Sequence, residues 1–279
     1  MIASIALRRI WLYAVAITVA LFLVLPILII IPMSFSDSEF LTFPPPGWSL
    51  RWYQQYFSSA EWHRATAISL QVAVATTVLS VSCGTIAAYG LHLGRSRFAA
   101  RLVGIILLPA VIPAVLIAVG VFVFYSRIGL NNTLAGLVLA HTALALPFVI
   151  LLIGAGMRQF DWNLDLAARN LGANRMQAFD DVIFPQVKFS IIAAALIAFL
   201  TSFDEVVVSI FISSGERATL TKKMFSSLRD ETDPVIAAIA SLLILLSIVV
   251  MAAAQLAPRA AGRSRRDVSS PIDRGASAG

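Results

Sequence analysis

Long apolar runs alternate with short polar segments along almost the whole chain. A helix that crosses a bilayer needs about 20 mainly apolar residues, because the hydrocarbon core is about 30 Å thick and each residue rises about 1.5 Å. Six runs are long enough. The pattern therefore predicts six transmembrane helices, at about 11–33, 65–92, 102–124, 133–157, 187–212 and 234–257.

Composition agrees with a membrane protein and excludes several other classes. The 279 residues are 59% hydrophobic and 13% charged, whereas soluble chains carry about 25% charged residues. The net charge of +6 is spread over segments between the apolar runs, which argues against nucleic acid as a partner. The single Cys83 rules out an intramolecular disulfide, and no His, Cys or carboxylate cluster has metal-ligand spacing, so we expect no metal site.

The basic residues predict the orientation of these helices. With six spans, fourteen Lys and Arg lie on the side of the N-terminus and seven on the other side. Positive residues are retained in the cytoplasm, so both termini are expected there. Residues 1–258 are expected to form one transmembrane domain, and 259–279, rich in Arg, Ser, Gly and Ala, a disordered cytoplasmic tail.

Two outer segments have distinctive composition. Residues 34–64 are rich in Trp, Tyr and Phe, which usually mark the membrane–water interface. Residues 213–233 carry four basic and four acidic side chains between apolar ones. A short amphipathic helix is expected in this second segment.

Residues 158–185 are polar enough to stay in water, yet they are patterned like helices. Asn163 is expected to cap the first helix, and Gly172 to end it in a left-handed conformation. Apolar residues recur three and four positions apart and predict one buried stripe. This stripe consists of Phe160, Leu164, Ala167, Ala168 and Leu171.

A second short helix follows within the same segment. Asn174 and Gln177 have the form of a capping box, and Pro185 is expected to stop the helix. Its predicted apolar face is formed by Met176, Phe179 and Ile183. Two such helices need to bury their faces against lipid, the helix bundle or a partner's groove.

One spacing in this segment is specific. Leu166-Ala167-Ala168 is followed after three residues by Gly172, and after nine more by Val182-Ile183-Phe184-Pro185. This resembles the EAA motif of permease subunits of bacterial binding-protein-dependent ABC importers. Leu166 stands where that family has Glu; the nearest carboxylate, Asp165, lies about 100° away around the helix.

A second stretch narrows the resemblance. It comprises Ser202-Phe203-Asp204-Glu205-Val206-Val207-Val208-Ser209, then residues 219–225, then Asp233-Pro234. It looks like the spermidine/putrescine branch of the family. Related branches for iron(III), opines or phosphonates remain alternatives.

The resemblance implies an all-α membrane protein with the type I ABC importer permease (MetI-like) fold, in the bacterial inner membrane. It implies a non-catalytic subunit whose partners are a second permease, two ABC ATPases, an external solute-binding protein and lipid. The chain has no G-x-x-x-x-G-K-[ST] phosphate loop, so ATP and Mg are expected on the ATPases and no cofactor on this chain. The residues expected to couple to the ATPases are Asp165, Leu166, Ala167, Ala168, Gly172, Ala173, Phe179 and Pro185.

Two carboxylates interrupt the fifth predicted span. A carboxylate facing lipid costs at least about 2.5–3.5 kcal/mol, so Asp204 should face the bundle, a water-filled cavity or a sister subunit. A cationic solute would exchange part of its hydration for such a group. The expected pathway residues are Ser202, Phe203, Asp204 and Glu205. The alternatives are a structural ion pair with a basic residue such as Lys222 or Lys223, or a location at the membrane interface.

Other polar residues inside the spans carry weaker signals. Those expected to hydrogen-bond neighbouring helices are Gln71, Ser80, Ser82, His141 and Thr142. Spans three and four are expected to bend at Pro109, Pro113 and Pro147. Two rival functions stay open. A secondary transporter would use an ion gradient with Asp204 or Glu205 as the coupling group, and a channel or scaffold would show downhill flux or none.

Overall fold

The computed structural model describes residues 2–93, 97–230 and 233–264. Within these ranges the protein is helical and has no β-strand; Ser36 and Trp48 form one isolated antiparallel bridge. The α-helices, in chain order, are α1 (Ile2–Ser34), α2 (Arg51–Ser58), α3 (Ala60–Leu93), α4 (Arg97–Val111), α5 (Ala114–Ile128), α6 (Leu134–Gln159), α7 (Trp162–Asn170), α8 (Arg175–Ala178), α9 (Phe184–Phe203), α10 (Val207–Ile212), α11 (Leu220–Asp230) and α12 (Val235–Ser264).

The chain divides into two compact units. The terminal unit is formed by residues 1–58 and 231–279, and the central unit by residues 59–230. In the terminal unit, α12 packs against α1 and α2. The Ser34 hydroxyl hydrogen-bonds the Tyr53 hydroxyl at 2.7 Å and thereby ties the end of α1 to α2.

The central unit is built on three long helices, α3, α6 and α9, that pack against one another. Apolar side chains fill the space between them, and two buried clusters lie at opposite ends. One cluster includes Val149, Ile153, Met157, Ile183 and Val187. The other includes Val72, Tyr125, Leu137, Val208 and Ile212. These helices hold both candidate sites.

The number of spans that can be recognised is smaller than predicted. Among the described residues, four helices are long and apolar enough to cross a membrane, and α4 with α5 make a fifth only if the pair is counted as one span. For α12, the side chains are described as far as Val249, and the stretch Val235–Val249 is apolar. Six spans are thus not established by helix length and composition.

The third predicted span, 102–124, is not one straight helix. It is divided into α4 and α5, which meet at a bend of 103°. Pro113 precedes α5 directly. Proline lacks an N–H and its ring collides with the carbonyl four residues earlier, which kinks or breaks a helix. Pro109 and Pro147 lie within α4 and α6, and α6 continues through Pro147.

The fifth predicted span, 187–212, is also divided. The helix α9 ends at Phe203, and the short α10 begins at Val207. We call residues Asp204–Val206 the helix break. The adjacent carboxylates Asp204 and Glu205 make an uninterrupted apolar helix unfavourable at this point.

The last helix extends into the predicted tail. The helix α12 runs to Ser264, so the first residues of the predicted tail are helical. The remainder of that tail, 265–279, lies outside the described residues, as does Arg95, which contributes to the predicted orientation.

Gly156 lies where α6 and α9 approach each other closely, so a larger residue at this position should destabilise the fold. A Cβ at this position would collide with the Ser190 hydroxyl and would lie 2.6 Å from Ser190 Cβ. Overpacking of this kind costs about 1–3 kcal/mol. We therefore expect Gly156→Ala to lower the unfolding temperature measured in detergent, and Ser190→Gly to restore it in the double variant.

Gly154 provides the matched control on the same helix. A Cβ there would meet only Arg158 Nη1, at 3.7 Å. Gly154→Ala should leave the unfolding temperature unchanged or raise it, because alanine is the better helix former. Equal destabilisation by the two alanine variants would contradict the packing argument.

Candidate functional site

The 158–185 segment folds as two short helices with a sharp turn between them. Gly172 has φ of +96°, a conformation that L-residues rarely adopt. Its N–H donates to Arg169 O, and Ala173 N–H donates to Ala168 O, each at 3.1 Å. This is the Schellman arrangement that closes a helix C-terminus. The prediction that Gly172 ends the first helix is confirmed.

Capping fixes the start of each helix. The second begins with the predicted capping box: Asn174 Oδ1 accepts from Gln177 N, and Gln177 Oε1 accepts from Asn174 N, both at 2.9 Å. The prediction for the first helix is wrong. Asp161, rather than Asn163, is the N-cap, and its side chain accepts from Asn163 N at 3.1 Å. A cap two residues earlier lets Trp162 join the helix.

The expected end of the second helix is also wrong. Pro185 does not stop it, because the chain stays helical from Arg175 to Phe203. A π-helical turn over Phe179–Ile183 joins α8 to α9, and Phe184 N–H reaches back to Phe179 O. Pro185 then sits in the first turn of α9, where a missing N–H is tolerated.

The buried face of α7 differs from the predicted stripe. Trp162 and Ala168 are half-buried and Asp165 is buried, whereas Leu164, Ala167 and Leu171 are exposed. Periodicity correctly indicated a helix, but it assigned the wrong side to the interior. The reason is that aromatic contacts orient α7.

These contacts form an aromatic cluster of α3 with the 158–185 segment. The ring of Trp162 stacks on His92 with centroids 3.7 Å apart, and Phe179 packs against Tyr89 at 5.2 Å. Trp162 Nε1 donates to Met157 O at 3.1 Å, and Phe160 meets Trp162 edge to face. The segment is thereby attached to α3 and to the end of α6. No periodic pattern along the chain identifies His92 or Tyr89 as partners of this segment.

The segment also exposes large apolar side chains. Leu171 is 90% exposed, Met176 70% and Leu166 53%, with Leu164 at 42%. We call these four residues the apolar patch. Exposed large apolar side chains in an otherwise polar segment are typical of a protein or membrane contact.

The other predicted coupling residues are distributed around this patch. Ala167 and Pro185 are exposed, and Ala168, Ala173 and Phe179 are half-buried. Asp165 points inward with only 4% of its surface exposed. Its Oδ2 lies 3.8 Å from Arg169 Nη1. Asp165 therefore does not occupy the exposed position that Leu166 takes in the motif.

The four predicted pathway residues lie together at the helix break but differ in their surroundings. Ser202 and Phe203 are buried at the end of α9, and Glu205 is half-buried. Asp204 is exposed, and its carboxylate has no hydrogen bond or ion pair with the described residues. Of the four, Asp204 is the one whose charge is available to a ligand.

Glu205 has a structural role. Its Oε1 accepts from Val208 N at 2.7 Å, so the carboxylate caps the N-terminus of α10. A negative group at a helix N-terminus is stabilising because the first N–H groups have no helical partner.

Lys222 caps the other end of α10. Its ammonium donates to Ile210 O at 3.3 Å and also to Ser213 O. Burial lowers the pKa of Lys222, and the carbonyls at the helix C-terminus offset that burial. Lys223 instead pairs with Glu61. Neither lysine pairs with Asp204, so the structural ion pair considered above is absent from the described residues.

His141 connects α6 to both sides of the helix break. Its Nδ1 lies 2.9 Å from Ser202 Oγ, and its Nε2 lies 3.2 Å from Ser209 Oγ. The prediction that it hydrogen-bonds a neighbouring helix is confirmed. Ser80 and Thr142 instead donate to carbonyls of their own helices.

Metal binding has no support in the described residues, where no three His, Cys, Asp or Glu side chains come together as a ligand set. The expectations about cofactors therefore rest on the resemblance alone.

Two permease proteins of Escherichia coli are similar in sequence to this chain. The spermidine/putrescine transport system permease protein PotC of Escherichia coli (strain K12) is 27% identical over 238 residues, covering 85% of this chain and 90% of PotC. The putrescine transport system permease protein PotI of the same strain is 29% identical over 255 residues, covering 88% of this chain and 90% of PotI.

A solved structure supports the fold. A chain of the bacterial alginate ABC transporter, crystallised with an alginate pentasaccharide-bound periplasmic protein, superposes with a TM-score of 0.70 at 15% sequence identity. The match covers 96% of this chain and 98% of that one.

The family match includes both candidate sites. Residues 80–262 match the family described as binding-protein-dependent transport system inner membrane component. This range contains the capped helix pair with its apolar patch and the helix break with its exposed carboxylate. The chain belongs to this family, and it is a membrane component of a binding-protein-dependent ABC importer.

Proposed function

We propose that this chain is a transmembrane permease subunit of an ATP-driven importer for polyamines such as spermidine and putrescine. The observation that carries the transport mechanism is the apolar patch on the 158–185 segment. This segment is anchored to α3 and α6, while Leu166, Leu171 and Met176 are exposed. An anchored helical segment with exposed apolar side chains is suited to bind in a groove of a partner protein.

The motor is proposed to be a pair of ABC ATPases that bind ATP and Mg, since this chain carries no phosphate loop. The remaining partners are a second permease, different from this chain, an external solute-binding protein and surrounding lipid. ATP-driven closure of the ATPases would move the two coupling helices as rigid bodies and open the outer mouth, and hydrolysis would reset it.

The topology is proposed as six spans with both termini in the cytoplasm. The four long apolar helices, the bent pair α4 and α5 and the helix α12 together supply six crossings. Fourteen Lys and Arg then lie inside and seven outside, as the positive-inside rule requires. The 158–185 segment lies in the cytoplasm in this arrangement, where ATPases could reach it.

The polyamine substrate is supported by the names of the two permease relatives and by Asp204. The carboxylate of Asp204 is exposed and unpaired among the described residues, so it could receive an ammonium group of the solute. Charge-assisted hydrogen bonds to a carboxylate are about twice as strong as neutral ones.

Purification and uptake together test this proposal. The full chain, extracted in mild detergent with its operon partners, should bring a second permease and two ATPase copies in fixed stoichiometry. Proteoliposomes containing the complex and its binding protein should take up radiolabelled putrescine with ATP present and ion gradients collapsed. Uptake that needs a proton or sodium gradient instead would favour the secondary transporter, and uptake of iron(III), an opine or a phosphonate would change the substrate class.

The apolar patch leads to a prediction about ATPase binding. Burial of a leucine side chain contributes about 1.5–3 kcal/mol, so Leu171→Gln should weaken the ATPase affinity of the detergent-purified permease pair by about tenfold or more. The chain itself should stay folded, because Leu171 is 90% exposed.

The matched control is Leu228→Gln, on α11, where the leucine is 49% exposed. In the proposed topology this leucine lies outside the cell, and ATPase affinity should not change. If Leu171→Gln binds ATPase as tightly as the unmodified chain, the patch is not the docking surface.

A further inference from the structure

The helix break is held from one side by a single buried imidazole. His141, in the first third of α6, is 1% exposed. Its Nδ1 faces the last turn of α9, lying 2.9 Å from Ser202 Oγ and 3.1 Å from Ser202 O. Its Nε2 faces α10 at Ser209 Oγ. One ring thus touches the helices before and after the break.

The two tautomers of His141 satisfy different partners. With the proton on Nε2, the Ser202 hydroxyl donates to Nδ1, Nε2–H donates to Ser209 Oγ, and the Ser209 hydroxyl is free to donate to Glu205 O, 3.2 Å away, but the ring gives no proton to Ser202 O. With the proton on Nδ1, the ring donates to Ser202 O at 3.1 Å, and the Ser209 hydroxyl donates to Nε2 instead of to Glu205 O. The ring bridges both helices in either case.

The short α10 needs such support. Six residues do not form a stable helix on their own, and the three residues of the helix break separate α10 from α9. Glu205 and Lys222 cap its ends, while Asn132 N donates to Ile212 O at 2.7 Å. Only His141, among these groups, also binds the end of α9.

We propose that His141 is a positioning residue that holds α9 and α10 in register across the break and so fixes the location of the Asp204 carboxylate. Asp204 lies between the two serines that the ring binds, two residues after Ser202 and five before Ser209. Loss of the bridge would free the intervening backbone. The link to solute uptake rests on the function proposed above; the effect on the backbone of the break does not.

Thiol labelling tests the structural part without any transport. The single native cysteine is replaced by Cys83→Ser, and Asp204→Cys introduces a probe at the break in the assembled complex. We expect His141→Leu, which removes both ring contacts, to raise the maleimide labelling rate at position 204 by about tenfold, as expected for two neutral hydrogen bonds. His141→Asn and His141→Gln, which can each replace one ring nitrogen, should give intermediate rates.

Two controls separate a local effect from a general loss of structure. Thr142→Val removes a neighbouring hydroxyl that donates to Val138 O within α6, and it should leave the rate at 204 unchanged. A probe at Asp230→Cys, at the exposed end of α11, should label equally fast with and without His141→Leu. An unchanged rate at 204 in His141→Leu, or an equal rise in Thr142→Val, would overturn the proposal.

A milder variant keeps the test decisive if His141→Leu does not accumulate in the membrane. Ser209→Ala deletes the partner of Nε2 and is expected to raise the rate at 204 by about threefold. A rate equal to that of the unmodified background would refute the bridging role.

Uptake kinetics then connect the bridge to the pathway. In complexes that keep Asp204, His141→Leu should raise KM for the transported cation about tenfold while changing kcat less, and His141→Gln should restore part of the loss. An unchanged KM would show that His141 does not position the solute pathway. A complex that transports no polyamine at all would refute the proposed function. The labelling rate at 204 would still test the structural role of His141 independently.

Discussion

Replacing Gly172 with valine should strongly weaken both ATPase binding and solute uptake. The backbone at this position has φ of +96°, and forcing an L-residue into such a conformation costs about 1–3 kcal/mol. The Schellman turn would open, α7 would lose its C-terminal closure, and α8 would be displaced relative to it. We expect uptake by the reconstituted complex to fall at least tenfold, and the ATPase to be lost on purification.

The Gly172 variant has two informative comparisons. Gly120→Val, in α5, places a side chain where nothing lies within 4 Å and where φ is not positive, so ATPase binding should persist. Gly172→Asn should give an intermediate result, since asparagine tolerates positive φ better than valine. Full uptake with bound ATPase in Gly172→Val would remove the 158–185 segment from its coupling role.

Neutralising Asp204 should reduce uptake of a polyamine by about ten- to a hundredfold in kcat/KM. The estimate follows from the contribution of a hydrogen bond to a charged group, about 1.5–3 kcal/mol. Asp204→Asn preserves size and removes only the charge, and the side chain is exposed, so the fold should be unaffected. Radiolabelled putrescine uptake at several solute concentrations measures the change.

Glu205 provides a sharp contrast one residue away. In Glu205→Gln the amide oxygen can still accept from Val208 N, as the carboxylate oxygen does at 2.7 Å, so uptake should stay near the unmodified level. Asp230→Asn, at the end of α11, serves as a distant exposed control. If Glu205→Gln loses as much uptake as Asp204→Asn, the pathway charge is shared between the two residues and the capping role alone is insufficient.

The two candidate sites are physically connected through one helix. The chain is helical without interruption from Arg175 to Phe203, 29 residues that at about 1.5 Å each span about 43 Å. On the proposed function, a displacement of α8 by the ATPases would be carried along this rod to the helix break. The bridge from His141 to Ser202 lies at the far end of the same rod.

Local signals in the sequence predicted several features correctly. Gly172 and the Asn174–Gln177 capping box were recognisable because caps depend on residues a few positions apart. The amphipathic helix expected in 213–233 is present as α11. The spacing around Gly172 also predicted the family. Each of these depends on backbone geometry that a short stretch of chain determines by itself.

Other features required contacts between distant parts of the chain. The buried face of α7 was mispredicted because stacking on His92, about 70 residues away in the sequence, outweighs the apolar periodicity. Continuation of the helix through Pro185 depends on a π-helical turn that no propensity predicts. The bend of 103° between α4 and α5 exceeds what proline alone implies.

The amino-acid sequence by itself determined a membrane-embedded helical chain, the helix ends near Gly172 and Asn174, and two acidic residues within an apolar run. These follow from composition and local backbone chemistry. Only the tertiary structure decided which carboxylate is free and which is a cap, and which side of α7 is exposed. The reason is that burial and hydrogen bonding of a side chain depend on neighbours such as His141 and Trp162, whose positions are set by the packing of α3, α6 and α9.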